Sequence, residues 1–209
     1  MSIVSERDNM RQMGLPGSNS DLPFSMTEAS NAFTAQLYTA NRLEVTVTNH
    51  QLTIGIKKTQ KDGCDWTVWD NFQLTLLEAG DNSDYDVNNT GTDVSEYDDV
   101  TPDNPLDMTS RIVNPQFDSA SGWTGSPVIG GASNNLNAEK YNTTFDVYQT
   151  LYDMPNGWYC LKAQGFYRYG DYHEEQHKSY YGGGWTENDA NNMYAMYTIP
   201  YAVISRKAK

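Results

Sequence analysis

The sequence predicts an all-β sandwich or jelly roll carrying one or two short helices. Three observations predict it. Apolar and polar residues alternate with period two in several short runs, turn-forming residues crowd the joints, and helical periodicity is confined to brief stretches.

The elements follow in chain order. Met26 to Phe33 predicts a short helix with Ser25 or Thr27 as N-cap, because a side-chain oxygen there accepts from an unsatisfied first-turn N–H. Strict alternation comes next. Leu43, Val45 and Val47 face one way and Glu44, Thr46 and Thr48 the other; after Asn49-His50 the pattern resumes with Leu52, Ile54 and Ile56. Two such runs across a tight turn predict a β-hairpin. A third strand sets Trp66, Val68, Asp70, Phe72, Leu74 and Leu76 on one face. A short strand is expected around Ile112 to Phe117. A second hairpin is expected from Thr144–Tyr152 through Pro155-Asn156-Gly157 to Trp158–Arg168, the Asn-Gly pair supplying the turn. A last strand runs from about Met193 to Ile204.

Composition narrows the function. The chain has 209 residues, enough for one sizeable sandwich or two small domains. Its 14 Lys and Arg face 27 Asp and Glu, a net charge of −13, which argues against nucleic acid and anionic membranes and suits neutral ligands and bound cations. No apolar run approaches the roughly 20 residues of a membrane helix, so no membrane insertion is expected. The N-terminus, Met1 to Arg7, lacks a signal-peptide pattern. The 15 Tyr and 5 Trp suit half-wet binding surfaces, although β-rich proteins use many aromatics in any case. Cys64 and Cys160 fit no metal-ligand spacing; one disulfide and two free thiols both agree with the sequence.

Three zones divide the chain. Residues 1–77 and 108–209 are aromatic-rich and periodic, and between them 78–107 is crowded with Asp, Asn, Gly, Thr and Pro and reads as an acidic linker. Each periodic zone offers only three or four strands. A half-sandwich leaves an apolar face wet and a sheet edge unpaired. Either the zones complete one another as one sandwich, or each needs material this chain lacks.

The order of signatures adds a resemblance. Ile112-Val113-Asn114-Pro115-Gln116-Phe117-Asp118 with Gly122-Trp123 resembles the opening of galactose-binding-like, carbohydrate-binding jelly-roll modules of secreted and surface proteins of gut bacteria. Tyr148-Gln149-Thr150-Leu151, Pro155-Asn156-Gly157-Trp158-Tyr159 and Gly165-Phe166-Tyr167-Arg168 are similar to their middle. Leu52-Thr53-Ile54-Gly55-Ile56 and Asp65-Trp66-Thr67-Val68-Trp69-Asp70-Asn71-Phe72 resemble how such modules end. The resemblance therefore implies reversed halves: 1–77 as the C-terminal half of a module and 108–209 as the N-terminal half, either circularly permuted or built from two successive repeats. A tethered partner has a high effective concentration, which favours the permuted monomer over a swapped copy. It further implies a non-catalytic module of a longer secreted or surface precursor, with glycan and neighbouring repeats as partners.

Three sets of residues are candidates for chemistry. Asp70 falls between Val68 and Phe72 on an apolar face, where a carboxylate needs a partner or a metal. The resemblance pairs it with Asp118 around a structural calcium, a cation that takes hard oxygen ligands. Arg168, Tyr169, Tyr172, Tyr180, Tyr181 and Trp185 surround a Gly182-Gly183-Gly184 run; aromatic planes match the C–H faces of sugars and polar groups match their hydroxyls. The same aromatics would equally pack a compact loop onto the sheet. Finally, His173-Glu174-Glu175-Gln176-His177 matches the zinc-peptidase pattern H-E-x-x-H, with Glu187 as a conceivable third ligand. It lacks the apolar stripe of a buried zinc helix, and glycines follow within a turn or two. The expectation is a sugar-binding module and not an enzyme, with a structural or adhesion spacer as the alternative.

Overall fold

The computed structural model describes residues 23, 25–36, 41–59, 66–82, 97–168 and 200–204, with backbone alone at 41, 167, 168 and 200–204. In these residues the chain forms one helix, α1 (Met26–Thr34), and the strands β1 (Asn41–Val47), β2 (Gln51–Lys58), β3 (Trp66–Ala79), β4 (Leu106–Asp107), β5 (Val128–Ala132), β6 (Asn135–Tyr141), β7 (Phe145–Tyr152), β8 (Gly157–Arg168) and β9 (Pro200–Ile204). One sheet runs β1-β8-β3-β6-β5, with β4 alongside β3; the other runs β7-β2-β9. Every pairing is antiparallel. The architecture is an all-β sandwich with one helix, and strands from early and late in the chain alternate within both sheets.

Between the sheets lies one core. Val47, Leu52, Ile54, Ile56, Trp69, Phe72, Leu74, Leu76, Val147, Tyr159 and Leu161 are all buried in it. The alternations read in β1 and β2 therefore hold as to which face is inward. What does not hold is the pairing. β1 pairs with β8, and β2 with β7 and β9, so neither expected hairpin exists. Both are arches that cross from one sheet to the other. Each carries one residue in the left-handed region, His50 (φ 58°) and Asp153 (φ 52°), which turns the chain out of its sheet. Alternation specifies the buried face of a strand but not its neighbour, and two apolar faces meet as well across a core as within one sheet.

The two arches stack. Met154 N–H donates to the His50 carbonyl at 3.0 Å, and His50 N–H donates to Asn156 Oδ1 at 3.2 Å. Asn156 works as a hub: its Nδ2 donates to the Asp81 carbonyl at 2.9 Å, and its carbonyl accepts from Gly80 N–H at 2.8 Å. The segment expected to turn a hairpin instead ties both sheets to the end of β3. Gly157 is required there by close approach, since a Cβ would stand 2.4 Å from the Glu78 carbonyl.

The helix matches its expected bounds to within a residue, and Ser25 is the cap, its Oγ accepting from Glu28 N–H at 3.2 Å. A second, smaller apolar cluster joins Ala29, Ala32 and Phe33 of α1 to Trp66, Val68 and Phe166. Buried Ser30 fixes the helix to the β5–β6 hairpin, its Oγ accepting from Asn137 Nδ2 at 2.7 Å and from Ala132 N–H at 3.0 Å. That hairpin, closed by Ser133-Asn134, is absent from the sequence reading. Its Gly130-Gly131 lacks the alternation that marks a strand; a Cβ on Gly131 would meet Ser30 Oγ at 2.2 Å.

Two further expectations change. Residues 112–116 form turns and not a strand, with Asn114 at φ 49° and Phe117 at φ 48°, although Phe117 is fully buried in the core. The stretch 78–107 is packed at both ends: Glu78 and Ala79 complete β3, Tyr97 and Val100 enter the core, and β4 pairs with β3. Residues 83–96 lie outside the described residues. Among the described residues no helix is long and apolar enough to cross a membrane.

Candidate functional site

Strand β3 breaks register twice against β8, between Asp70 and Gln73 and between Leu76 and Glu78. Each break re-aims the side chains around it, as β-bulges do. The first changes which residues face the core. Trp69 lies in the main core; after the break Phe72, Leu74 and Leu76 take that role, while Trp66 and Val68 pack toward α1. The single apolar face read from Trp66 to Leu76 is thus two faces joined at Asn71, whose φ is 54°.

Asp70 sits at this break, fully buried and paired in the ladder with Gln164. Its Oδ1 accepts from Asn71 N–H at 2.7 Å; its Oδ2 is buried with no hydrogen-bond partner. Burial pushes its carboxyl up to about 8; the Asn71 N–H works against this and the Asp118 carboxylate adds to it. The two acidic residues singled out in the sequence are therefore within electrostatic reach of each other. The turn that carries Asp118 is anchored beside the break, since Phe72 N–H donates to the Pro115 carbonyl at 2.8 Å. Aromatic packing of Phe72, Phe117 and Trp123 closes the floor, with centroids 4.7–5.7 Å apart.

An orphaned, buried carboxylate oxygen near a second carboxylate fits a hard cation, which would satisfy Oδ2 and neutralise the repulsion. Calcium takes about six to eight oxygens, so main-chain carbonyls and water would have to complete the shell. Among the described residues no group of three or more His, Cys, Asp or Glu could hold a metal by side chains alone.

The second break lies near the end of β3. There Glu78 pairs with Trp158, which on its other side pairs with Thr46 of β1, so the three side chains share one sheet face. With Thr48, Asp81, Asn156 and the backbone of Gly80 and Gly157, they line a cleft of about 620 Å³. Sequence reasoning missed it. The available signal was Trp158, an aromatic at an outward position of β8, immediately before the core residue Tyr159.

Of the expected sugar-binding residues, only Arg168 is reached by the described backbone, where it pairs with Trp66 at the last rung of β8. Tyr169, Tyr172, Tyr180, Tyr181 and Trp185 lie outside the described residues, as do His173, Glu174, His177 and Glu187 of the H-E-x-x-H segment. Cys160 is a buried free thiol whose sulfur accepts from Arg42 Nε at 3.2 Å; Cys64 lies outside the described residues.

No family model, curated protein or solved structure matches the chain.

Proposed function

We propose that the chain is a non-catalytic, glycan-binding β-sandwich module of a secreted or surface protein. The observation that carries this reading is the anchoring of β8. Its last residue, Arg168, is held in a ladder against Trp66, so the residue that directly precedes the aromatic run Tyr169 to Trp185 in the sequence is fixed at the end of a sheet. Binding residues are disproportionately carried on segments positioned by a rigid scaffold. The large acidic excess agrees with neutral sugars as ligands.

Two finer statements belong to the same proposal. The connectivity is that of a jelly roll with its halves permuted; interleaving of β1–β3 with β4–β9 supports it. A structural calcium is held by Asp70 and Asp118; the orphaned Asp70 oxygen supports it. The ion would supply positive charge where two carboxylates converge.

The test is a glycan array probed with the wild-type chain and with Trp185→Ala. Binding to neutral glycans by the wild type supports the module, and its loss in Trp185→Ala places the sugar on the aromatic segment. No binding to any glycan leaves the structural spacer as the reading.

A further inference from the structure

Four polar or aromatic side chains of the cleft at the second β3 break are unengaged. Thr46, Thr48 and Glu78 are exposed and Trp158 is half-buried, and none makes a side-chain hydrogen bond or ion pair among the described residues. The floor, by contrast, is rigid. Asn156 is buried and bonded to His50, Asp81 and Asn82, and Gly157 admits no Cβ. A fixed floor beneath unpaired hydrogen-bonding groups is what a ligand site needs, because little is left to order on binding.

The chemistry of the lining selects the ligand. Trp158 offers an aromatic face, with Thr46 on one side and Glu78 on the other. Hydroxyls donate and accept, carboxylates accept, and the indole N–H donates. A ring that is apolar on its faces and rimmed by hydroxyls satisfies all of these together. An ammonium group would use the acceptors and Trp158 by cation–π attraction but would leave the donors idle. The lining holds two carboxylates, Glu78 and Asp81, and no Lys, Arg or His, so uronates and sulfated sugars are repelled. The volume, about 620 Å³, lies in the range of small-molecule sites, roughly 300–1,000 Å³.

We propose that this cleft binds an uncharged sugar ring stacked on Trp158 between Thr46 and Glu78. The proposal rests on the glycan-binding reading above and places its site at the Glu78 end of β3 instead of on the aromatic segment.

The experiment is calorimetric titration of the full chain with neutral hexasaccharides (gluco-, manno-, xylo- and galacto-series), with oligogalacturonate as the anionic probe and tetramethylammonium as the cationic one. Each is repeated on Trp158→Ala, Thr46→Arg, which fills the cleft without removing the indole, and Trp185→Ala, all checked for an unchanged circular dichroism spectrum. Expected is binding to at least one neutral series and not to oligogalacturonate, weakened on the order of tenfold or more by both Trp158→Ala and Thr46→Arg. Retention of wild-type affinity in those two with loss in Trp185→Ala would overturn the cleft while keeping the glycan reading. Absence of neutral-sugar binding in the wild type would overturn both, and binding to tetramethylammonium alone would mark the cleft as a cation site.

Discussion

The two register breaks of β3 make opposite environments from the same device. At the first, the chain turns a carboxylate inward: Asp70 is fully buried, half-satisfied and within reach of Asp118. At the second, it leaves a carboxylate outside: Glu78 is exposed beside Trp158 at the edge of a cleft. The difference comes from what covers each break. The Asn114–Phe117 turn and the Phe72–Phe117–Trp123 aromatic stack close over the first. At the second, among the described residues, the arch hub Asn156-Gly157 approaches from beneath and the Val100 carbonyl accepts from Ala79 N–H at 3.3 Å, and Glu78 stays exposed. The inward break leaves a buried carboxylate oxygen without a partner, and the outward one leaves an exposed carboxylate beside an aromatic face.

Substitutions at the two breaks test that contrast. The largest effect is expected beside the closed one. Trp69 is fully buried and stacked on Phe145 with ring centroids 5.5 Å apart, so Trp69→Ala should cost about 3–5 kcal/mol in denaturant unfolding. A cost under about 1 kcal/mol would mean that the core does not close there. The smallest is expected at the open break. Glu78→Gln should leave unfolding free energy within about 0.5 kcal/mol of wild type, because the side chain is exposed and engages nothing among the described residues. A larger loss would show that Glu78 is part of the fold and not of a free rim.

The contrast also explains what was legible in the residues. Val45 and Val47, and Leu52, Ile54 and Ile56, announce their inward faces in the sequence, because burial imposes period two directly. The α1 cap was legible because Ser25 satisfies an N–H locally. Partners were not legible. The β1–β2 and β7–β8 arches depend on single residues in the left-handed region, His50 and Asp153, and neither is a glycine that would have flagged the turn. The break at Asn71 is hidden for the same reason, so the sequence places Asp70 on one continuous apolar face. Asp70 stands out in the sequence by itself, since a carboxylate amid apolar residues is costly wherever it points, whereas Asp118 joins it only through the family resemblance. The cleft escaped because its members, Thr46, Glu78 and Trp158, come from three strands whose adjacency exists only in the ladder.

The cation proposed at Asp70 and Asp118 is tested by the thermal midpoint of the protein. In cation-free protein the fold keeps a proton on Asp70 up to about pH 8, whereas the unfolded chain releases it near pH 4. The folded state thus holds the extra proton between those values. Its stabilisation is full below about pH 4 and drains away as pH rises through 8. At pH 8, saturating calcium should therefore raise the wild-type midpoint above its value in chelator by on the order of 5 °C. Asp70→Asn should show no calcium shift and should melt above wild type in chelator at that pH. Equal wild-type midpoints with and without calcium, or a calcium shift that survives in Asp70→Asn, would rule out Asp70 as a calcium ligand.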